Sequence, residues 1–410
     1  MKTIHLNVAL IIFSVFFIWK GLIPAYTSLQ TDFPNYYTSS RLVLEGNHFE
    51  KFYDDVWFQE QIHRFGINEQ GKFSPFPPLT TLVFLPIAKL EPLLAKQIWT
   101  TINLLLLVFN IVLVSSILKT NWKIPLLIFL LSGLALINNF RFGQLYLLLT
   151  FTITLGYYLF TQNEKTLSGI MFGLFIPIKY FPLIYIVYFA FKREWKVVNA
   201  ALFTTLILSL IIFFVLGFEM HKAFIEVALP YHLSGLLQNP FSATFQSWAS
   251  LFRRLFVYDA QFNPTPLFDS KILFEILRWF IIVVFSYLQY LVIKKCETNL
   301  SIEKSSALSF ATVGIVGILL SPASATYHFL ILVLPFVLLI DYVGEISTRW
   351  QISLELIFAI IGYIPYSFFT QYDAHGIFTL LAYPRLWLLT FLFLSWALFV
   401  YEIPSRETYQ

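Results

Sequence analysis

From Val197 to Gly217 the chain runs VVNAALFTTLILSLIIFFVLG without one charged side chain. A helix rises about 1.5 Å per residue, so about 20 such residues cross the roughly 30 Å hydrocarbon core of a bilayer. A helix that is apolar on every side has no face to offer water. Runs of this kind recur along the chain, at 5–24, 97–118, 124–140, 144–160, 167–178, 180–191, 197–217, 272–293, 305–320, 326–343, 352–369 and 383–400. Composition agrees, with 58% of residues hydrophobic and 12% charged, against roughly 45–50% and about 25% in soluble domains. The expectation is an all-α polytopic membrane protein with about 10–12 transmembrane helices. The apolarity is continuous and does not alternate, which excludes a β-barrel. Soluble enzyme, nucleic-acid binder and disordered scaffold are excluded with it.

The first run, Leu6 to Ile23, follows a very short basic end (Lys2), lacks a small-residue cleavage site and leads into Pro24-Ala25-Tyr26. It reads as a retained span and not as a signal peptide. The single cysteine, Cys296, excludes intramolecular disulfides and thiolate metal sites. With the spans above, the basic short loops (Lys119 and Lys123; Lys165; Lys192, Arg193 and Lys196; Lys294, Lys295 and Lys304; Arg349; Arg406) share one side with Lys2. Basic short loops mark the cytoplasmic side, so both termini are expected there. Two long polar segments, 25–96 and 218–271, and the turns 138–144, 321–326 and 370–382 then fall on the extracytoplasmic side. The apolar stretch 77–90 is too short and proline-rich to span and is expected to dip into the interface. No internal repeat or soluble terminal domain is visible, so residues 1–410 read as a single membrane-embedded domain working at its outer surface.

The chain contains no glycine-rich phosphate loop, no His-x-x-x-His, no Cys-x-x-Cys and no nucleophile elbow. It is expected to bind no nucleotide, no metal and no other cofactor, so any group transfer outside must use a donor that is already activated. A lipid-phosphate-linked donor suits such a site. Thr31-Asp32-Phe33-Pro34 opens a helix-compatible stretch ending at Glu45-Gly46. Asp32 is either a helix cap or a carboxylate at the mouth of the bundle. Asp54-Asp55 reads as a solvated pair and Arg141 as a residue at the lipid headgroups. Phe73-Ser74-Pro75-Phe76-Pro77-Pro78 reads as a rigid re-entry into the interface. Pro177 and Pro182 break an apolar run around Lys179, and a charge in such a break must line protein or water. Phe245, Ala249, Phe252 and Phe256 recur at helical spacing opposite Gln246, Ser250, Arg253 and Arg254. This reads as an amphipathic helix lying on the membrane, its arginines contacting headgroups or a donor phosphate. His328 ends the turn Ser321–Tyr327 on the outer side, where Asp373, His375 and Arg385 also fall.

The order of these pieces resembles a known family. Asp32-Phe33 with Tyr36-Tyr37 is followed by Gly46, Tyr53 and Phe76-Pro77-Pro78-Leu79. Trp99, Gly143-Gln144, Gly169, Gly173, Ile178-Lys179-Tyr180-Phe181-Pro182, Gln246-Ser247, Arg253-Arg254 and Ser321-Pro322 with His328 come after them. The series, from about 30 to about 330, resembles the GT-C-fold glycosyltransferases of family 87, the polyprenol-phosphate-mannose-dependent mannosyltransferases and related arabinofuranosyltransferases. Phe76 departs from the pattern, which has Tyr before Pro-Pro. The resemblance implies a GT-C-like bundle in the inner (plasma) membrane, with two long extracytoplasmic loops. Such an enzyme moves a sugar, mannose by analogy, from a polyprenyl phosphate to a lipid-linked or glycan acceptor. Asp32 would be the base and His328 a catalytic partner. Lys179, Arg253 and Arg254 would meet the donor phosphate, and Tyr36, Tyr37 and Gln144 the acceptor or sugar.

The chemistry is coherent in itself. A phosphate leaving group needs little protonation, so one carboxylate could activate an acceptor hydroxyl, with inversion at the anomeric carbon, while cations stabilise the departing charge. The competing reading is a transporter or flippase of lipid-linked saccharides. Transporters place ionisable residues near the midplane and show repeats, whereas here the charges sit at the outer rim. A non-catalytic assembly factor, which would tolerate loss of Asp32, is a third.

Overall fold

The structure, a computed structural model, describes residues 3–46, 49–234, 236, 239–372 and 376–402. Lys2, Asp373, His375 and Arg406 lie outside the described residues. Among these residues the regular structure is helical, apart from one isolated bridge between Asp259 and Asn263. The chain forms two compact units, Met1–Leu130 with Leu136–Leu237, and Leu131–Ala135 with Gln238–Gln410.

In the first unit α1 (Thr3–Phe17) passes through a π-helical turn into α2 (Ile23–Thr27), and after a short break α3 (Asp32–Glu45) begins. Gly46 ends α3 in the left-handed conformation that a glycine adopts without strain. Next come α4 (Asp55–Arg64), the single turn α5 (Thr80–Val83), α6 (Pro92–Leu118), α7 (Lys123–Leu131) and α8 (Leu134–Phe142). They are followed by α9 (Tyr146–Thr161), α10 (Lys165–Phe175), α11 (Leu183–Phe191), α12 (Trp195–Ala223) and α13 (Leu229–Ser234). Asp54 starts α4: its carboxylate accepts from the Val56 and Trp57 amides at 3.1 Å. Asp55 lies 3.5 Å from the Lys72 ammonium. The Asp54-Asp55 pair is therefore a helix start. The 77–90 stretch does not span; α5 packs on α3, where Ser40 donates to the Thr81 carbonyl. Gly169 and Gly173 let α10 approach α12 closely, since a Cβ there would meet the Val197 and Ala201 carbonyls. Two polar links involve basic turns: Lys123 donates to Asn7 of α1 at 3.0 Å, and Lys165 pairs with Glu194 of the next basic turn at 2.7 Å.

The second unit contains α14 (Trp248–Phe256), α15 (Lys271–Asn299), α16 (Ile302–Leu320), a 3-10 stretch at Thr326–Leu332, α17 (Val333–Ile346), α18 (Thr348–Tyr363) and α19 (Pro384–Glu402). Gln289 joins α15 to Thr312 of α16 at 2.8 Å. Phe336 stacks on Phe358 at 4.3 Å, and Phe285 meets Phe393 at 5.5 Å. Residues 131–135 belong to this unit because the backbone at Gly133 packs on that of Gly362.

Among the described residues, seven helices are long and apolar enough to cross a membrane, or eight if a bent pair counts as one span. This is an all-α polytopic membrane protein. The stretch expected to be one span at 124–140 is that bent pair, α7 and α8, turned by 79° where Gly133 takes φ +57°. Tyr146–Thr161 and Lys165–Phe175 are apolar but shorter. The polar segment expected from 218 onward starts helical: Trp195–Ser234 is one helical run, kinked at Gly217 with φ 75° and ψ 177°. Gly217 marks the end of the uncharged sequence, and its Cβ-free backbone lets the chain kink there and resume helix.

Candidate functional site

The Phe140–Gln144 turn joins α8 to α9, and α6 holds it from one side. The Lys96 ammonium donates to the Phe140 carbonyl at 2.7 Å, and the Trp99 indole, nearly one helical turn further on, donates to the Gly143 carbonyl at 3.0 Å. Gly143 adopts φ +65°, and a Cβ there would come within 2.8 Å of both the Lys96 Nζ and the Phe33 Cβ. The turn can close only on a glycine, and it presents Gln144.

Gln144 is buried and its amide has two fixed partners. Its Oε1 accepts from the Tyr36 hydroxyl at 2.9 Å, and its Nε2 donates to Oδ2 of Asp32. Tyr36 is fully buried, stacked on Phe84 at 5.2 Å. A rigid aromatic thus fixes the amide, and the amide fixes the carboxylate. Asp32 itself is only half-buried, so the carboxylate is both oriented and reachable.

Asp32 is not the cap considered from sequence. Thr31 occupies the cap position without a capping bond, Asp32 is the first helical residue, and its side chain is turned to Gln144. Two ammonium groups share its electrostatic environment, Lys179 and Lys96. Lys179 sits in the break between α10 and α11 that its flanking prolines produce. It is half-buried, its Nζ 5.0 Å from the Phe76 ring centroid and 5.4 Å from that of Tyr146. Among the described residues its ammonium makes no hydrogen bond or ion pair. A cation placed on aromatic faces with its N–H groups unspent is suited to an anionic ligand.

The other expected residues make the following contacts. The Tyr37 hydroxyl donates to the Leu90 carbonyl at 2.7 Å, which ties α3 to the entry of α6 and takes Tyr37 out of the Gln144 network. Arg141 donates to Gln30 at 3.1 Å and so braces the segment before Asp32, where the sequence suggested a headgroup contact. In the second unit, α14 begins at Trp248, with Ser247 as its cap, and not at Phe245. The stripe expected to face the membrane surface is partly buried. Gln246 is 1% exposed, bonded to the Ala243 and Ala382 carbonyls and to the Arg385 amide. Arg254 is buried and donates to the Phe262 carbonyl, closing the following loop. Arg253 lies 4.6 Å over the Phe274 ring; burial pulls its guanidinium below the ordinary range, Arg278 adds to this and Glu275 opposes it. His328 stands in the 3-10 stretch with its ring 5.0 Å from Tyr327. Arg385, expected at the outer rim, is almost fully buried and donates to the Ile361 and Ile364 carbonyls and to Thr326.

Sequence reading missed Lys96 and His232. Lys96 lies in the second turn of a long apolar helix that begins at Pro92, and with the span read as 97–118 it passed for the last residue of the outer polar segment. His232 lies in α13, in a stretch read as loop; it donates to the Ser74 carbonyl at 3.2 Å and packs its ring 5.7 Å from Tyr180.

Comparison with family profiles matches residues 75–322 to glycosyltransferase family 87. The chain belongs to this family. Comparisons with curated proteins and with solved structures gave no match. Membership makes the protein a membrane glycosyltransferase, with a sugar donor and an acceptor as its substrates. The matched stretch contains Lys96, Gln144, Lys179, Arg253 and Arg254, whereas Asp32 and His328 fall outside it. The place of Asp32 in this family-87 chain therefore rests on its contacts with Gln144 and on the lysines that share its field.

Proposed function

We propose that this family-87 glycosyltransferase moves a sugar, mannose by analogy, from a polyprenyl phosphate to a lipid-linked or glycan acceptor on the extracytoplasmic face, with Asp32 as base. The observation that carries the reading is the half-buried Asp32 carboxylate, bonded by Gln144 and set in the field of the unspent Lys179 ammonium. Asp32 takes the proton of an acceptor hydroxyl as its oxygen attacks the anomeric carbon. The bond from that carbon to the phosphate oxygen breaks on the opposite face, so configuration inverts. The electron pair leaves with polyprenyl phosphate, and Lys179 offsets the growing negative charge. A positioned base contributes roughly 10²–10⁴-fold, and the preorganised charge of Lys179 adds to it.

Tyr36 and Gln144 keep their proposed places at the acceptor side through the Asp32 network, and His328 and Arg253 keep the catalytic and phosphate-binding roles that the resemblance to the family implies. Arg254 donates to the Phe262 carbonyl and Tyr37 to that of Leu90, and each keeps its proposed role, Arg254 at a donor phosphate through its other N–H groups and Tyr37 at the acceptor or sugar as a hydrogen-bond acceptor. The Lys123–Asn7 contact, which ties one basic turn to the first turns of α1, and the Lys165–Glu194 contact, which joins two more, support a shared cytoplasmic side. The test is transfer by purified protein in lipid nanodiscs, with synthetic polyprenyl-phosphate mannose or a nucleotide sugar as donor. Product of inverted anomeric configuration from the lipid donor alone supports the reading. Transfer from the nucleotide sugar, or donor translocation without transfer, refutes it.

A further inference from the structure

We propose that Lys96 is a positioning residue for Asp32: its buried ammonium seats the turn that presents Gln144 and supplies fixed positive charge beside the carboxylate. The inference rests on Asp32 acting as the base.

Lys96 is 0% exposed, and among the described residues its ammonium makes one hydrogen bond, to the Phe140 carbonyl, and no ion pair. A buried charge without a bonded counter-ion costs several kcal/mol in desolvation, and an apolar side chain of similar volume often serves stability as well or better. Stability is thus a poor reason for a lysine here. Its surroundings supply another. Its Nζ lies 5.4 Å from the ring centroid of Phe33, the residue after Asp32. The nearest glycine, Gly143, leaves no room for a Cβ between that ammonium and Phe33. Lys96 and Trp99 grip the carbonyls at the two ends of Phe140–Gly143, so α6 fixes where Gln144 emerges. The charge itself acts on Asp32. Asp32 then shares its field with one cation on α6 that is spent on a carbonyl and a second, Lys179, that is not. The first cannot reach substrate and can only hold the base; the second is left for the donor.

Lys96→Met removes the charge and the donor while filling the same space. Lys96→Gln removes the charge but keeps an N–H for the Phe140 carbonyl. The readouts are kcat, the KM for the lipid donor and thermal melting of each variant. With the base displaced or its field altered, kcat is expected to fall roughly 10- to 100-fold in Lys96→Met. The donor KM should stay within about two-fold, because Lys96 is buried away from the donor, and the melting temperature should not fall, because the desolvation cost relieved with the charge offsets the bond lost at the Phe140 carbonyl. Lys96→Gln should fall between wild type and Lys96→Met. Wild-type kcat in both variants, or a loss of kcat that follows a loss of folded protein, overturns the inference. Asp32→Asn, assayed alongside, separates the two ideas: an active Asp32→Asn removes the base itself, whereas an inactive Asp32→Asn beside a fully active Lys96→Met leaves the base and removes only the role of Lys96.

Discussion

Replacing Gly143 with alanine tests whether the turn that presents Gln144 is as tightly constrained as its packing implies. Two costs arise together. Gly143 sits at φ +65°, a left-handed conformation that costs a residue with a Cβ roughly 1–2 kcal/mol. The new methyl would also lie 2.8 Å from the Lys96 Nζ and 2.8 Å from the Phe33 Cβ. The lysine end can swing aside, but the Phe33 Cβ is fixed to the α3 backbone, so the turn itself must shift. Overpacking of this kind costs roughly 1–3 kcal/mol. Gly46→Ala is the matched control: φ is +72° and no atom of the described residues lies within 4 Å of a Cβ there, so only the conformational term applies. Melting of purified protein in detergent should rank wild type above Gly46→Ala and Gly46→Ala above Gly143→Ala. The two variants should differ by the packing term of roughly 1–3 kcal/mol. Turnover should separate them further, because moving the turn moves Gln144 off Asp32. If Gly143→Ala melted with Gly46→Ala and kept full turnover, the proposed clamp on the turn would be wrong.

Lys179→Ala should lower turnover roughly 100-fold or more, the scale of one lost preorganised charge contact, while Lys72→Ala, which breaks only a half-exposed pair with Asp55, should do little. Equal activity of the two variants would place the donor phosphate elsewhere, with Arg253 the next residue to examine. His328→Ala should lose activity on the same scale as Lys179→Ala if it lies beside the reacting groups; wild-type kinetics would remove it from the site. Single cysteines in a Cys296-free background should label from outside at Glu60 and Gln261 and from the cytoplasm at Lys119 and Arg193; labelling of Glu60 from the cytoplasm would invert the assignment.

The helical membrane architecture was legible because uncharged runs such as 197–217 leave no alternative. The break around Lys179 was legible too, since two prolines cannot both continue a helix. Tertiary choices were not. Hydropathy reads 124–140 as one span, because nothing in composition tells a straight helix from one turned at Gly133. Periodicity placed Gln246, Ser250, Arg253 and Arg254 on one polar stripe, but could not show that Gln246 and Arg254 find buried carbonyls to bond. Asp32 followed by Pro34 carries the local marks of a cap, and the partner that overrides them, Gln144, is over a hundred residues away. Lys96 was invisible for the same reason: its meaning comes from the Phe140 carbonyl and from Asp32, both brought to it by folding.

The central claim is that Asp32 accepts the proton of the acceptor. Asn fits the same space, and its amide oxygen can still accept from Gln144, so Asp32→Asn should fold and melt as wild type does. It cannot take a proton at neutral pH. With a lipid-linked donor and purified Asp32→Asn in nanodiscs, the account predicts donor binding near the wild-type level and turnover reduced roughly 10²–10⁴-fold. Turnover close to wild type in a folded Asp32→Asn would contradict it.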